Sequence, residues 1–149
     1  MPPPDQLDSA NVLEWAWSDA GFGSVSGEPV HGLAICRYGT EDRFYRFACK
    51  SDWQVIQDQV YPSTLAAKNG LPERYQAEAP TWMLSEKAEA EVRGMTVNER
   101  LWFFGLFPEF DAAVVSKSQS AIEGVLLAAH FSEKQAKQTA AAVASAETP

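Results

Sequence analysis

Residues 30–50 read VHGLAICRYGTEDRFYRFACK, and this stretch decides the fold. Two runs rich in β-branched and aromatic residues, 30–38 and 43–50, are separated by Gly39-Thr40-Glu41-Asp42, so the spacing predicts a β-hairpin with a short polar turn. Alternation along the second arm puts Phe44, Arg46 and Ala48 on one face and Tyr45, Phe47 and Cys49 on the other, and the latter face is the better candidate for the core. Downstream, WQVIQDQVY (53–61) reads as a third strand or extended segment anchored by Trp53, Val55 and Ile56. Pro62-Ser63-Thr64 then starts a helix through TLAAKNG, with Gly70 as its stop and Pro72 beyond.

Working outward from the hairpin, GFGSVSGEP (21–29) reads as a Gly/Ser/Pro loop. VLEWAW before it stays open between a short helix capped by Ser9 and a strand suited to Trp15 and Trp17. Residues 1–8 are Pro-rich and expected to fray. From Ser85 onward strand signals cease. Thr96-x-x-Glu99, Ser120-x-x-Glu123 and Ser132-x-x-Gln135 each match a capping box, and Pro108 marks a further helix start. Leu101, Phe104, Leu106 and Phe110 offer apolar contacts to Val114 and Val115, while Ile122, Val125 and Leu126 form a stripe at helical spacing. The terminal AAAVASAETP is small and polar and expected to fray. These signals predict an α+β fold: a small antiparallel sheet with a helix in residues 1–84, and a bundle of short helices in 85–149 packed on the first part.

Composition narrows the function. The 149 residues are 46% hydrophobic and 11% aromatic, enough for a packed core, and 20 acids against 12 bases give a net charge of −8. A phosphate backbone is repelled by such a chain unless a basic patch is present, and the acids are spread along both halves, so direct nucleic-acid binding is not expected. Cys36 and Cys49 are expected to be buried thiols on neighbouring strands rather than a disulfide, because MPPPDQLDSAN lacks the basic and apolar regions of a secretory signal. No apolar run approaches the length of a membrane helix, and the expected location is the cytoplasm. His31 and His130 lie far apart, so no metal site or other cofactor is expected. GxSxG, GxxxxGK[ST], HExxH and CxxC are absent, and the chain is read as non-enzymatic, with no catalytic residues assigned.

What remains is the aromatic density between Tyr38 and Tyr61, interleaved with carboxylates. Glu41, Asp42, Tyr45, Asp52, Trp53 and Asp58 are the candidate partner-binding residues: exposed rings supply desolvated area, and acids beside them orient a basic protein surface. A small enzyme using Asp52 and Asp58, a helical assembly adaptor using Trp102 and Phe103, and a phage anti-defence inhibitor of the anti-CRISPR kind are the alternative readings.

Two stretches resemble known kinds of protein. In residues 37–82 an aromatic strand leads into Asp52 and Trp53, with Asp58 five residues later, then a short helix with paired alanines and a closing Trp82. This resembles bacterial immunity proteins, which implies a non-enzymatic inhibitor with a cognate toxin as its protein partner. From Met95, MTVNERLWFFGLFPEFDAAV followed by FSEKQAKQTAAAV is similar to short bacterial helical proteins of the MTVNERL type. The resemblance implies a fused helical module, and Trp102-Phe103-Phe104 is a bulkier run than that pattern carries.

Overall fold

A computed structural model describes residues 1–146 and divides the chain after Gly94 into two compact units. The fold is mixed α+β. The division falls ten residues later than expected from sequence, because the helix at Glu86–Val92 packs on the sheet of the first unit.

In the first unit the strands are β1 (Gln6–Leu7), β2 (Ala10–Trp17), β3 (Gly23–Val25), β4 (Glu28–Val30), β5 (Gly32–Arg37), β6 (Phe44–Cys49), β7 (Val55–Tyr61) and β8 (Met83–Leu84). Its helices are α1 (Thr64–Asn69) and α2 (Glu86–Val92), with a 3-10 turn at Glu73–Tyr75. Among the described residues the main sheet is antiparallel in the order β1-β2-β5-β6-β7, and β8 shares the outer edge of β2 with β1. The predicted hairpin is β5–β6, with Cys36 opposite Tyr45 and Gly32 opposite Cys49, and the third strand is its neighbour β7. Ser63 caps α1 by accepting from the Ala66 amide, and Gly70 ends it.

One open reading is decided and two local expectations are corrected. VLEWAW is strand, and Ser9 caps no helix: Asp8 and Ser9, at φ +47° and +70°, form the two-residue turn that joins β1 to β2. Residues 1–8 are therefore tied down, with the Val12 amide also donating to the Asp5 carbonyl at 3.0 Å. Within the Gly/Ser/Pro stretch, β3 and β4 pair around Ser26 (φ +48°) and Gly27 (φ +84°), so a second hairpin stands where a loop was expected.

Both faces of β6 are buried, not one. Tyr45, Phe47 and Cys49 join Val12, Ala34, Cys36 and Trp53 on the first face. Phe44, Arg46 and Ala48 are equally enclosed on the second, where α1, the β3–β4 hairpin and the 3-10 turn lie. Arg46 is kept there by donating to the Ala67 carbonyl at 2.8 Å and to Gln59, and by lying 4.8 Å from the Tyr61 ring. A bulge decides which face each β2 residue joins. The register steps between Val12 and Glu14, so Val12, Trp15 and Trp17 face one way while Glu14 and Ala16 face the other. Glu14, fully buried, thereby meets Lys68 of α1 at 2.6 Å.

Cys36 and Cys49 are free and buried on the first face. Burial pushes the Cys49 thiol up to about 12 and the Cys36 thiol well above its ordinary value, and the charge of Asp8 pushes the same way on both. Unfolded thiols ionise near ~8.5, so above that pH the unfolded chain has released protons that the folded chain keeps. The stabilisation from each protonated thiol is whole below ~8.5 and lost as pH rises toward the folded value, by at most about 1.4 kcal/mol per pH unit per thiol. Urea midpoints should therefore fall steadily between pH 8 and 10; a flat midpoint across that range contradicts the assignment.

The second unit holds α3 (Val97–Phe103), α4 (Phe107–Val115), α5 (Gln119–Ala128) and α6 (Glu133–Ala146). The capping box at Thr96–Glu99 forms with both reciprocal bonds, and so does that at Ser132–Gln135. The third start is set by Ser118, which accepts from the Ala121 amide, two residues before the expected Ser120. Pro108 lies in the first turn of α4, as read. Leu101, Phe104, Leu106, Ile122, Val125 and Leu126 are buried as expected, but Val115 is 81% exposed. Phe103 is buried and Trp102 exposed. The terminal alanines through Ala146 continue α6 where fraying was expected; Glu147, Thr148 and Pro149 lie outside the described residues.

Candidate functional site

The six candidate residues do not form one cluster. The β5–β6 turn carries Glu41 and Asp42 at one end of the β6–β7 hairpin, and the Lys50–Gln54 turn carries Asp52 and Trp53 at the other. The six residues of β6 between them span about 17 Å. Asp52 serves its own turn by accepting from the Gln54 amide at 3.0 Å. Trp53 corrects the expectation of a docking ring: it is 4% exposed. Its ring lies over Gly32, where an added Cβ would come within 2.4 Å of it, and it packs against Trp15 and Trp17 at ring separations of 6.2 and 5.5 Å. Trp53 is a core residue, held in a turn at φ +66° with its indole N–H donating to the Met1 carbonyl.

The remaining candidates converge near the outer strand. In the β6–β7 register Tyr45 is opposite Val60 and Phe47 opposite Asp58, and directly opposed residues share a face. Tyr45 is half-buried, and Tyr38 stands edge-on to it at 5.2 Å. Val60 and Asp58 are exposed, Val60 by 52%. Val60 also lines, with Asp42, Arg43, Tyr61 and Pro62, an open depression of about 240 Å³.

Two members of this surface were not among the candidates. The Tyr38 hydroxyl donates to the Asp8 carbonyl at 3.0 Å, and desolvation, then the charge of Asp8, then Tyr45 and Asp58, hold its phenol above the ordinary value. Asp8 reaches Tyr38 only because the β1–β2 turn brings it across the sheet, which no local pattern shows. Val60 was visible as the apolar position two residues after Asp58, but its exposure depends on β7 being the end of the sheet. Glu41 is engaged by Arg43 at 3.5 Å, and its carbonyl accepts from Arg37 at 2.7 Å.

Asp58 lies about 10 Å along β7 from the start of the strand that follows the Asp52 turn. His31 donates through Nδ1 to the Ser18 carbonyl (2.9 Å) beside Trp17, and His130 occupies the left-handed position that ends α5. Among the described residues no group of three His, Cys, Asp or Glu is placed to share a metal ion. None of their helices is long and apolar enough to cross a membrane. No family model, no curated protein and no solved structure matches the chain.

Proposed function

We propose that the protein is a non-enzymatic inhibitor acting by protein–protein binding, of the immunity type, which neutralises a cognate bacterial toxin. The observation that carries this reading is the exposed Val60 on the outer strand beside Tyr45 and Tyr38, with the carboxylates of Asp58 and Asp42 around them. A small apolar centre supplies desolvated contact, and an acidic rim aligns and accelerates approach of a basic surface. The overall charge of −8 acts in the same direction at longer range. Among the described residues β7 is the last strand of the main sheet, the position at which an extended partner segment would add.

The test is capture from the source organism with the intact chain and with Asp58→Lys and Val60→Lys, both exposed positions where the folded state tolerates change. One stoichiometric partner is expected on the intact chain, eluting early with salt and held at least about tenfold more weakly by each variant. Retention of the same partner by both variants rules out this surface. Retention of no partner rules out the inhibitor reading, and displacement of the partner by nucleic acid would point to an anti-defence inhibitor instead.

A further inference from the structure

A second concave site lies at the opposite edge of the sheet from β7, along the outer edge of β2. Its walls are the Pro2–Pro4 arm, Trp15 and Met83; Asp5, Glu86 and Glu89 stand at its rim, and its volume is about 330 Å³. That volume falls within the range of small-molecule sites. The pocket is built before any ligand arrives. The proline arm is stiff and pinned at both ends, by the Trp53 indole N–H on the Met1 carbonyl at 3.2 Å and by the Val12 amide on the Asp5 carbonyl at 3.0 Å. The opposite wall is equally fixed: Ser85 caps α2 through the Ala88 amide and donates its hydroxyl to the Val12 carbonyl at 2.7 Å, while its own amide donates to Leu13. Glu86 and Glu89, three apart on α2, therefore project from one side of a helix whose first turn is anchored to the β2 bulge.

The lining selects one chemistry. It contains three carboxylates and neither lysine nor arginine; Arg93 meets Glu89 from outside at 3.9 Å, where both are largely exposed and the pair is weak. An anion is repelled, and a neutral apolar ligand would strip water from the rim acids without pairing them. A cation with an apolar surround satisfies both parts, because its methyl or methylene groups contact the prolines and Met83 while its charge faces the indole and the acids. We propose that this pocket binds an alkylammonium group, carried either by a lysine side chain or by a free quaternary ammonium compound. The site is independent of the β7 surface and can be right whether or not that surface binds a toxin.

The experiment follows the Trp15 indole N–H by NMR, assigned with Trp15→Phe, at constant ionic strength. The probes are choline, Nα-acetyl-lysine methylamide and 3,3-dimethylbutan-1-ol, the last being choline's neutral counterpart in shape. Saturable shifts are expected with at least one cation below about 50 mM, with the neutral alcohol binding at least about tenfold more weakly. Tighter binding of choline assigns a free small cation, and tighter binding of the lysine derivative assigns a polypeptide side chain. Glu86→Gln/Glu89→Gln, at two exposed positions, should weaken the cation at least about tenfold. The proposal is overturned if neither cation saturates, if the alcohol binds as tightly, or if the folded double variant binds unchanged. The comparison of cation with alcohol needs only the unaltered chain, so it decides the matter even if the double variant does not fold.

Discussion

Lys68→Met is expected to lower the stability of the first unit by about 3–5 kcal/mol, the range for removing one partner of a buried ion pair. Glu14 is wholly enclosed on the second face of the sheet, and Lys68 Nζ stands 2.6 Å from its Oε1 with only a small part of the lysine in contact with solvent. Methionine keeps most of the stem's packing, so the loss reports the charge and not the volume. Lys68 also stands in the last turn of α1, where its charge favours the helix end by about 0.3–1 kcal/mol more. The double variant Glu14→Leu/Lys68→Met is expected to recover most of the deficit, since an apolar pair of similar size avoids desolvating two charges. Urea midpoints at constant m-value measure both. A loss under about 1 kcal/mol for Lys68→Met would show that the pair is effectively solvated.

Gly23→Ala is expected to cost at least about 3 kcal/mol, because no relaxation of a side chain can make room for it. A Cβ at residue 23 would lie 1.7 Å from the Arg74 carbonyl oxygen and 2.8 Å from its carbon, both backbone atoms of the 3-10 turn. The β3–β4 hairpin would have to lift from that turn and uncover Phe22 and Tyr75, each buried to within 1%. It would also strain the bond from the Ala77 amide to the Phe22 carbonyl, now 3.0 Å. Gly27 provides the control. It has φ +84° but nothing within 4 Å of an added Cβ, so Gly27→Ala carries only the conformational cost of about 1–2 kcal/mol. Equal losses for the two variants would mean that the hairpin does not press on the 3-10 turn as described.

The candidate surface was partly legible in the sequence. Tyr45, Asp42 and Asp58 could be picked out because strand alternation and turn position are local. Trp53 could not be placed, since a tryptophan beside a turn acid reads the same whether its ring faces solvent or, as here, fills the space above Gly32. The β3–β4 hairpin was missed because its two three-residue strands carry little apolar patterning and are held against the 3-10 turn instead.

By itself the sequence determined what depends on a few neighbouring residues. The β5–β6 hairpin follows from its two apolar arms and polar turn, and the helix starts at Thr96 and Ser132 follow from side chains that reach amides three residues on. The end of α1 at Gly70 is of the same kind. Tertiary structure alone decided which face each β2 residue joins: strict alternation groups Val12 with Glu14, but one extra residue at the bulge separates them and turns Glu14 toward Lys68. Only the tertiary fold brought Asp8 beside Tyr38 and set the Pro2–Pro4 arm and Trp15 around one pocket. Local hydrogen bonds are fixed by spacing along the chain, whereas bulges, edges and pockets are chosen by what distant segments bury together, and a single strand carries no record of that choice.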